Sequence, residues 1–201
     1  MPLEESKFRW QGRIASLVGR PAFWLLLIGL IFCWPIARAL RGTLPPALPD
    51  LGAVPLFASV DQQGRTLGTE QLRGRVWIAD FIDTRCAASA LSSDRMRQLQ
   101  HRARNLGDAL HLVTFMIGPG TPETRLAWAR AHAANPRLWS FLASDPAIES
   151  SLAGGSVGCQ SEQLLYLADR RLRLRGSYDP ALGGSLERLL REAGLLVNRG
   201  D

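Results

Sequence analysis

The sequence predicts an α/β domain with a mixed sheet flanked by helices, preceded by one N-terminal transmembrane helix. Three observations support this prediction. A long apolar stretch without charges lies near the N-terminus, and a proline-rich segment follows it. Beyond that segment, strand-like apolar runs alternate with amphipathic, helix-like segments, as in α/β domains. The chain then closes with two strands around a tight turn and a final helix.

The apolar stretch, residues 21–37, carries no charged residue. Its length is at the lower limit for crossing a bilayer core of about 30 Å, and Trp24 and Trp34 lie near its ends, as interfacial aromatic residues do. Lys and Arg are more frequent before the stretch than after it, which predicts a cytoplasmic N-terminus. A cleaved signal peptide is the alternative, with a weak cleavage-like sequence at residues 36–39.

Four segments follow from this pattern. Prolines in the third of these segments, within GTLPPALPD at residues 42–50, favour an extended, semi-stiff tether. The predicted segments are a cytoplasmic N-terminal segment (1–20), a transmembrane anchor (21–40), a Pro-rich linker (41–50) and a folded domain (51–201). The main domain is thus expected in the periplasm, held to the inner membrane by a single span.

The net charge of +6 comes almost entirely from arginine. A basic balance is compatible with nucleic acid, with an anionic membrane surface or with no specific partner. The arginines are scattered, with no long basic run and no interleaved aromatic residues, so nucleic-acid binding is not expected.

The first half of the folded domain predicts a hairpin, a central strand and a helix. Residues 54–60 alternate in polarity before a turn signal, DQQGR, which is typical of a hairpin. The segment 75–82 begins with Arg75 and is otherwise an apolar run broken only by Asp80, as in a strand buried on both faces. Residues 87–106 then carry apolar side chains at helical spacing.

The second half continues the alternation. Residues 110–117 are strand-like, and Thr121 can cap a helix that runs to about residue 134 with proline at its first position. The remaining predicted elements are a strand (139–143), a short helix capped by Asp145 (146–153), a glycine-marked loop, two strands (164–168 and 172–175) and a closing amphipathic helix (183–196). This is the element order of a thioredoxin-like fold.

Cys86 is the residue that most invites a functional interpretation. It lies between the predicted central strand and a helix, where the helix dipole and neighbouring Arg85 lower a thiol pKa. Asp83 would oppose that effect by charge repulsion, unless it is an exposed turn residue. Cys86 is therefore a reactive thiol, a metal ligand or an inert small side chain.

Several blocks of this sequence resemble the SCO/SenC family, the membrane-anchored copper chaperones of cytochrome c oxidase assembly. The blocks are DQQGRTLGTEQLRGRVWIADFIDTRC, SDRMRQLQHR, LHLVTFMIGPGTPETRLAWARAH, WSFLAS and LLYLADRRLRLRGSYD. The resemblance covers roughly residues 50–196 and agrees with the predicted anchor. It implies the same thioredoxin-like fold.

The resemblance also implies where copper ligands belong. Family members hold copper with two cysteines in a C-x-x-x-C motif and one distant histidine, a soft donor set that suits the metal. Here the first cysteine falls on Cys86, but the second falls on Ala90. The histidine falls on Ser161, or on Gln160 with a slip of one residue, and Gly118 replaces a family acidic residue. The copper site is therefore predicted to be degenerate.

Cys159 lies two residues before the implied histidine position, which suggests that it approaches Cys86. Three states stay open: a disulfide, two-coordinate Cu(I) held by both sulfurs, or a free cysteine in a glycine-rich loop. Nearby thiols outside the cytoplasm tend to oxidise. A disulfide between Cys86 and Cys159 would close a long loop and so stabilise the fold by roughly 4 kcal/mol.

Other side chains offer weaker candidates. His101, His111 and His132 are not at the implied ligand position and are expected to be solvated or hydrogen-bonded. Met96 and Met116 are considered as altered copper ligands. Cys33, inside the apolar stretch, is expected only to pack there.

These observations predict a non-enzymatic accessory factor for respiratory oxidase assembly. Expected partners are the inner membrane and cytochrome c oxidase subunits or other copper proteins. Two alternatives remain: a thiol-disulfide protein that uses Cys86 and Cys159, and a copper carrier with altered ligands. Copper is the only cofactor that the resemblance implies.

Overall fold

The computed structural model describes residues 20–40, 47–118, 120–154, 158–159 and 163–199. The chain divides into two units, one ending at Ala47 and the other beginning at Leu48. The described part of the first unit is a single helix, α1 (Pro21–Leu40), with Pro35 inside it. Residues Pro21–Arg38 are long and apolar enough to cross a membrane, a test that signal sequences also pass.

The second unit contains eight strands and five α-helices among the described residues. The strands are β1 (Gly52–Ala53), β2 (Ala58–Val60), β3 (Thr66–Gly68), β4 (Val76–Asp83), β5 (Leu110–Ile117), β6 (Trp139–Ala143), β7 (Leu165–Ala168) and β8 (Arg173–Tyr178). The helices are α2 (Thr69–Leu72), α3 (Ala88–Arg102), α4 (Pro122–Ala131), α5 (Pro146–Ala153) and α6 (Ser185–Arg199).

Six strands form one mixed sheet in the order β1-β8-β7-β4-β5-β6, and β2 and β3 form a separate hairpin. Strands β4, β5 and β6 are parallel, while β7, β8 and β1 join antiparallel. Helices pack on both faces, so the predicted thioredoxin-like α/β architecture is confirmed.

Strand β4 is the centre of the sheet and is buried over its whole length. Its side chains alternate between two apolar cores, as strand geometry requires. Ile78 and Ile82 pack with α3 and α6 on one face. Trp77 and Phe81 pack on the other face with α2 and α5. This double burial explains why the sequence of β4 is a continuous apolar run.

Asp80 is the one polar interruption inside that run, and it is fully buried. Its carboxyl group accepts hydrogen bonds from the hydroxyl groups of Thr114, at 2.5 Å, and Ser92, at 2.8 Å. Trp139 donates its indole N–H to the Thr114 oxygen. The neighbouring strand and α3 thus satisfy the buried carboxyl, as a buried polar group requires.

The structure differs from the sequence prediction mainly at element ends. The helix predicted to reach residue 106 ends at Arg102 and continues as a 3-10 segment, Ala103–Ala109. Gly107 has a positive φ of 53° there, which redirects the chain into β5. Strand β8 extends to Tyr178 because that side chain is buried and donates its hydroxyl to Glu192. The two-residue strand β1 and the single-turn α2 carry no recognisable periodicity.

Two buried groups give the folding stability opposing pH dependences. Burial raises the pKa of Asp80 from 3.8 to about 6. The contribution of Asp80 to the free energy of unfolding is therefore fully present below pH 3.8 and is lost as the pH rises through about 6. Burial, with the positive charges of Arg75 and Arg65, lowers the pKa of His111 from 6.5 to about 4. The contribution of His111 to the free energy of unfolding therefore rises with pH over nearly the same range.

We expect Asp80→Asn to separate these two effects, because asparagine keeps hydrogen-bonding capacity but does not titrate. Relative to the wild type, the variant should gain up to ~3 kcal/mol of unfolding free energy between pH 4 and pH 7. Urea denaturation of both proteins across this range measures the difference. A difference that stays constant with pH would show that Asp80 does not titrate in this window.

Candidate functional site

The turn between β4 and α3 sets the position of Cys86. The Cys86 N–H donates to the Asp83 carbonyl at 2.8 Å, and the Ser89 N–H donates to the Cys86 carbonyl at 3.1 Å. The Ser89 hydroxyl donates to the Asp83 carbonyl at 2.6 Å and accepts from the Asp83 N–H at 3.1 Å. These bonds hold Cys86 two residues before the first residue of α3, near the positive end of the helix dipole.

Cys86 and Cys159 form a disulfide, with their Cα atoms 5.3 Å apart and 73 positions apart in the chain. Of the three states left open by the sequence, the structure therefore has the disulfide. Cys86 is buried, whereas Cys159 is exposed on its loop. The exposed half of the bond is thus the more accessible one for an incoming thiol.

Asp83 is not the exposed turn residue that one interpretation of the sequence expected. Its side chain is only 7% exposed and forms a bidentate ion pair with Arg85, with N–O distances of 2.9 and 2.6 Å. Hydrogen bonds from the Arg85 side chain and backbone hold the pKa of Asp83 below its usual value, against the opposing effect of burial. A carboxylate therefore stays ionised next to the disulfide.

Asp83, Cys86 and Cys159 form the one group of potential metal donors among the described residues, with their donor atoms within 4.8 Å of one another. While the disulfide is intact its sulfurs are not thiolates, so metal binding would need reduction first. The implied ligand position Ala90 is exposed and has no donor atom. Ser161 and Gln160 lie outside the described residues.

Gly118 occupies the position where the resemblance implies an acidic residue. Its φ of 92° is a conformation that favours glycine. A Cβ atom added here would lie 4.0 Å from the Arg85 guanidinium. In this chain, Asp83 and not residue 118 supplies the carboxylate that Arg85 contacts.

The three histidines lie elsewhere. His111 Nε2 is 3.0 Å from the Ser140 hydroxyl, and His132 Nδ1 is 3.0 Å from the Trp128 carbonyl oxygen. His101 is exposed on α3. No imidazole belongs to the donor group at Cys86 in the described part of the chain.

The two methionines considered as copper ligands are buried in the apolar core. Met96 and Met116 both pack in the cluster on the α3 and α6 face of the sheet. Their side chains are 0% and 1% exposed, so both methionines belong to the apolar core and not to the donor group at Cys86.

An apolar groove of about 260 Å³ lies along the first turns of α3, and the sequence pattern gave no sign of it. Its lining includes Ala88 and Leu91 on α3, Gln163 before β7, and residues 179–181 after β8. The Gln163 side-chain oxygen is buried there without a hydrogen-bond partner in the described structure. Three segments distant in sequence form this surface, so only the tertiary fold brings them together.

Comparison with known proteins finds similarity in structure but not in sequence. No family model and no curated protein matches the chain. Among solved structures, BsSco, a member of the Sco family of cytochrome c oxidase assembly proteins studied for a disulfide switch, aligns with a TM-score of 0.67 and 18% identity. The alignment covers 76% of this chain and 98% of BsSco.

Two further solved structures agree with this alignment. A SCO1/SenC family lipoprotein from Bacillus anthracis str. Ames gives a TM-score of 0.65 at 22% identity, covering 75% of this chain and 99% of the other. ScoI from Bradyrhizobium japonicum, solved with copper bound, gives 0.55 at 20% identity, covering 75% and 100%. The chain therefore shares the thioredoxin-like fold of Sco proteins, as the sequence blocks predicted.

We expect the charges beside the disulfide to control thiol reactivity after reduction. Asp83→Asn should speed alkylation of Cys86 roughly tenfold, because removing a nearby negative charge favours the reactive thiolate. Arg85→Gln should slow it, roughly twofold, because the Asp83 carboxylate loses its partner. Peptide mapping by mass spectrometry measures modification at Cys86 itself.

Arg97→Gln is a matched control for this pair, since it breaks only an exposed ion pair with Asp94 on α3. Its alkylation rate should equal that of the wild type. If Asp83→Asn and Arg85→Gln change the rate in the same direction, the electrostatic explanation is wrong.

The disulfide should also contribute strongly to stability, because it closes a loop of 73 residues. We expect its reduction to lower the free energy of unfolding by about 4 kcal/mol. Urea denaturation with and without reductant measures this loss. In the Cys86→Ser/Cys159→Ser double variant the reductant should have no effect; an equal effect there would assign the loss to another cause.

Proposed function

We propose that this chain is a divergent Sco-like protein whose outer domain works by thiol-disulfide exchange through Cys86 and Cys159. The single observation that carries this proposal is the disulfide between them, located where the central strand ends and α3 begins. The helix terminus favours a thiolate on Cys86 when the bond opens.

In the proposed exchange, a thiolate of a partner protein attacks the exposed Cys159 sulfur. The bond between the two sulfurs breaks, the electron pair leaves with Cys86 as a thiolate, and a mixed disulfide joins Cys159 to the partner. A second partner thiolate then attacks the partner's own sulfur and releases the Cys159 thiolate. The partner dithiol is oxidised to a disulfide, and Cys86 and Cys159 are reduced.

The surroundings of the bond are consistent with a reactive role. Cys159 is exposed, and an ionised carboxylate paired with Arg85 lies close to both sulfurs. Exposed disulfides are more easily reduced than buried structural ones. The missing donor at Ala90 meanwhile weakens the site as a copper centre of the family type.

Copper carriage is the second candidate function, and a specific observation favours it. After reduction, two thiolates and the Asp83 carboxylate would present three donor groups that the structure already holds within 4.8 Å. Thiolates suit Cu(I), whereas a carboxylate is a harder ligand. The expected site is therefore a two-sulfur Cu(I) site with a weak third donor. It would be occupied only in the reduced state.

The cellular setting is part of the proposal. A disulfide persists outside the cytoplasm, which agrees with α1 as an uncleaved inner-membrane anchor and a periplasmic main domain. The resemblance to Sco proteins supports a role in respiratory oxidase assembly, with cytochrome c oxidase subunits or other copper proteins as partners. Direct contact with those partners would then depend on the redox state of Cys86 and Cys159.

Thiol trapping of the membrane-bound protein in cells tests the exchange function. We expect a mixture of oxidised and reduced Cys86–Cys159 that shifts when reductant is added, because a working exchange couple is poised between both states. Cys33→Ser serves as the background, so that only the two outer cysteines are counted. If the pair stays fully oxidised and fails to exchange with a test dithiol, the exchange function is wrong and the disulfide has only a structural role.

Metal analysis distinguishes the copper alternative. The reduced protein is titrated with Cu(I) against a competing chelator, alongside Cys86→Ser and Asp83→Asn. Copper carriage predicts that Cys86→Ser abolishes tight binding and Asp83→Asn weakens it only slightly. Absence of binding in the reduced wild type would exclude copper carriage while leaving the exchange function intact.

A further inference from the structure

A second site lies at the opposite edge of the sheet from the disulfide. The parallel strands β4, β5 and β6 begin at one edge, and Cys86 follows the far end of β4. Eight residues of strand separate the two edges by roughly 26 Å. A polar cleft of about 480 Å³ opens at the edge where the strands begin.

Arginine side chains from three segments line this cleft. Arg75 lies directly before β4, Arg137 lies just before β6, and Arg65 comes from the turn between β2 and β3. No hydrogen bond or ion pair engages the guanidinium groups of Arg75 and Arg137 within the described residues. The cleft therefore presents two free planar donors of the kind that bind oxyanions through paired hydrogen bonds.

The acidic residues of the cleft do not cancel this charge. Asp61 is buried, and its two carboxylate oxygens already accept hydrogen bonds from the Gln63 and Arg65 backbone and from the Arg65 side chain. Asp108 is the other carboxylate that lines the cleft, and it is exposed. Two free guanidinium groups thus face one exposed carboxylate.

The pKa of His111, at the base of the cleft, depends on the charges around it. Its ring is buried, lines the cleft and contacts the Ser140 hydroxyl at 3.0 Å. After burial, the largest influences lowering its pKa are the positive charges of Arg75 and Arg65, which outrank the opposing Asp61 and Asp108. The positive charges of Arg75 and Arg65 therefore act on the buried ring more strongly than the two carboxylates do, in line with the two guanidinium groups that line the cleft without a partner among the described residues.

We propose that this cleft binds a phosphate group, with Arg75 and Arg137 as its main ligands. Guanidinium groups recognise phosphate oxygens as bidentate donors, and the cleft has room for a phosphate with a substituent. The phosphate belongs either to a soluble phosphate compound or to an anionic lipid headgroup, and the two sources share the same recognition chemistry. This site is separate from the disulfide and does not rest on the exchange function.

The test uses the full chain in maltoside micelles with isotope-labelled histidine, because the protein has only three histidines to resolve by NMR. Inorganic phosphate is added at constant ionic strength, with chloride as the balancing salt. We expect a saturable shift of the His111 signal and a rise in its pKa, while His101 and His132 do not respond. The Arg75→Gln/Arg137→Gln variant should bind about tenfold more weakly.

Arg171→Gln is the matched control, since Arg171 is exposed, has no side-chain partner in the described structure and lies outside the cleft. It should bind phosphate like the wild type. A parallel titration with phosphatidylglycerol in mixed micelles identifies the source: a response to lipid alone assigns the phosphate to a headgroup. If neither ligand gives a saturable His111 shift, or if the double variant binds like Arg171→Gln, the proposal is wrong.

Discussion

Strand β4 and the turn that follows it hold the disulfide in place. The strand is buried on both faces and lies between β5 and β7 in the sheet. Its last residue, Asp83, is fixed by the Ser89 side chain on α3 as well as by the sheet. Cys86 therefore has little freedom, and its sulfur is bonded to Cys159 at the edge of the sheet where β4 ends. Any chemistry at this edge depends on the rigid turn between β4 and α3.

The same turn between β4 and α3 places the charged side chains of Asp83 and Arg85 beside the sulfurs. Asp83 is buried and ionised, and Arg85, two residues later, reaches back to bind it. In a turn this short, the helix dipole, the carboxylate and the guanidinium all act on one sulfur. Their balance decides how readily the reduced thiol ionises, since the dipole and Arg85 favour a thiolate and Asp83 opposes it. We therefore expect these opposing charges, as well as burial, to affect ionisation of the reduced Cys86 thiol.

The sheet separates two kinds of chemistry at its two edges. The edge where the parallel strands end carries sulfur, a carboxylate and an apolar groove. The edge where they begin carries a polar cleft, and the Arg75 and Arg137 guanidinium groups that line it have no partner among the described residues. Since α/β sheets place loops at both edges, the same scaffold can hold two sites without either disturbing the packed interior. The interior itself contains the buried carboxyl of Asp80, satisfied by hydroxyl groups from β5 and α3.

The sequence alone determined the order of the main elements, though not β1 or α2, and the placement of Cys86. The apolar run of β4, the strand at residues 110–117 and the helix starts capped by Thr121 and Asp145 are local patterns. Such patterns can be recognised without knowledge of the tertiary structure. The resemblance to Sco proteins also came from local blocks, and it placed Cys159 near Cys86. Element ends were less predictable, because contacts with distant residues decide them, as at Tyr178.

Only the tertiary structure decided which side chains share a site. It joined two cysteines 73 positions apart and buried Asp83 against Arg85, where the sequence had favoured an exposed turn aspartate. It also gathered Arg75 and Arg137 into one cleft, although the sequence had indicated only scattered positive charge. The physical reason is that these distances depend on how segments far apart in the chain pack together, and local spacing patterns describe only segments that are close in the chain.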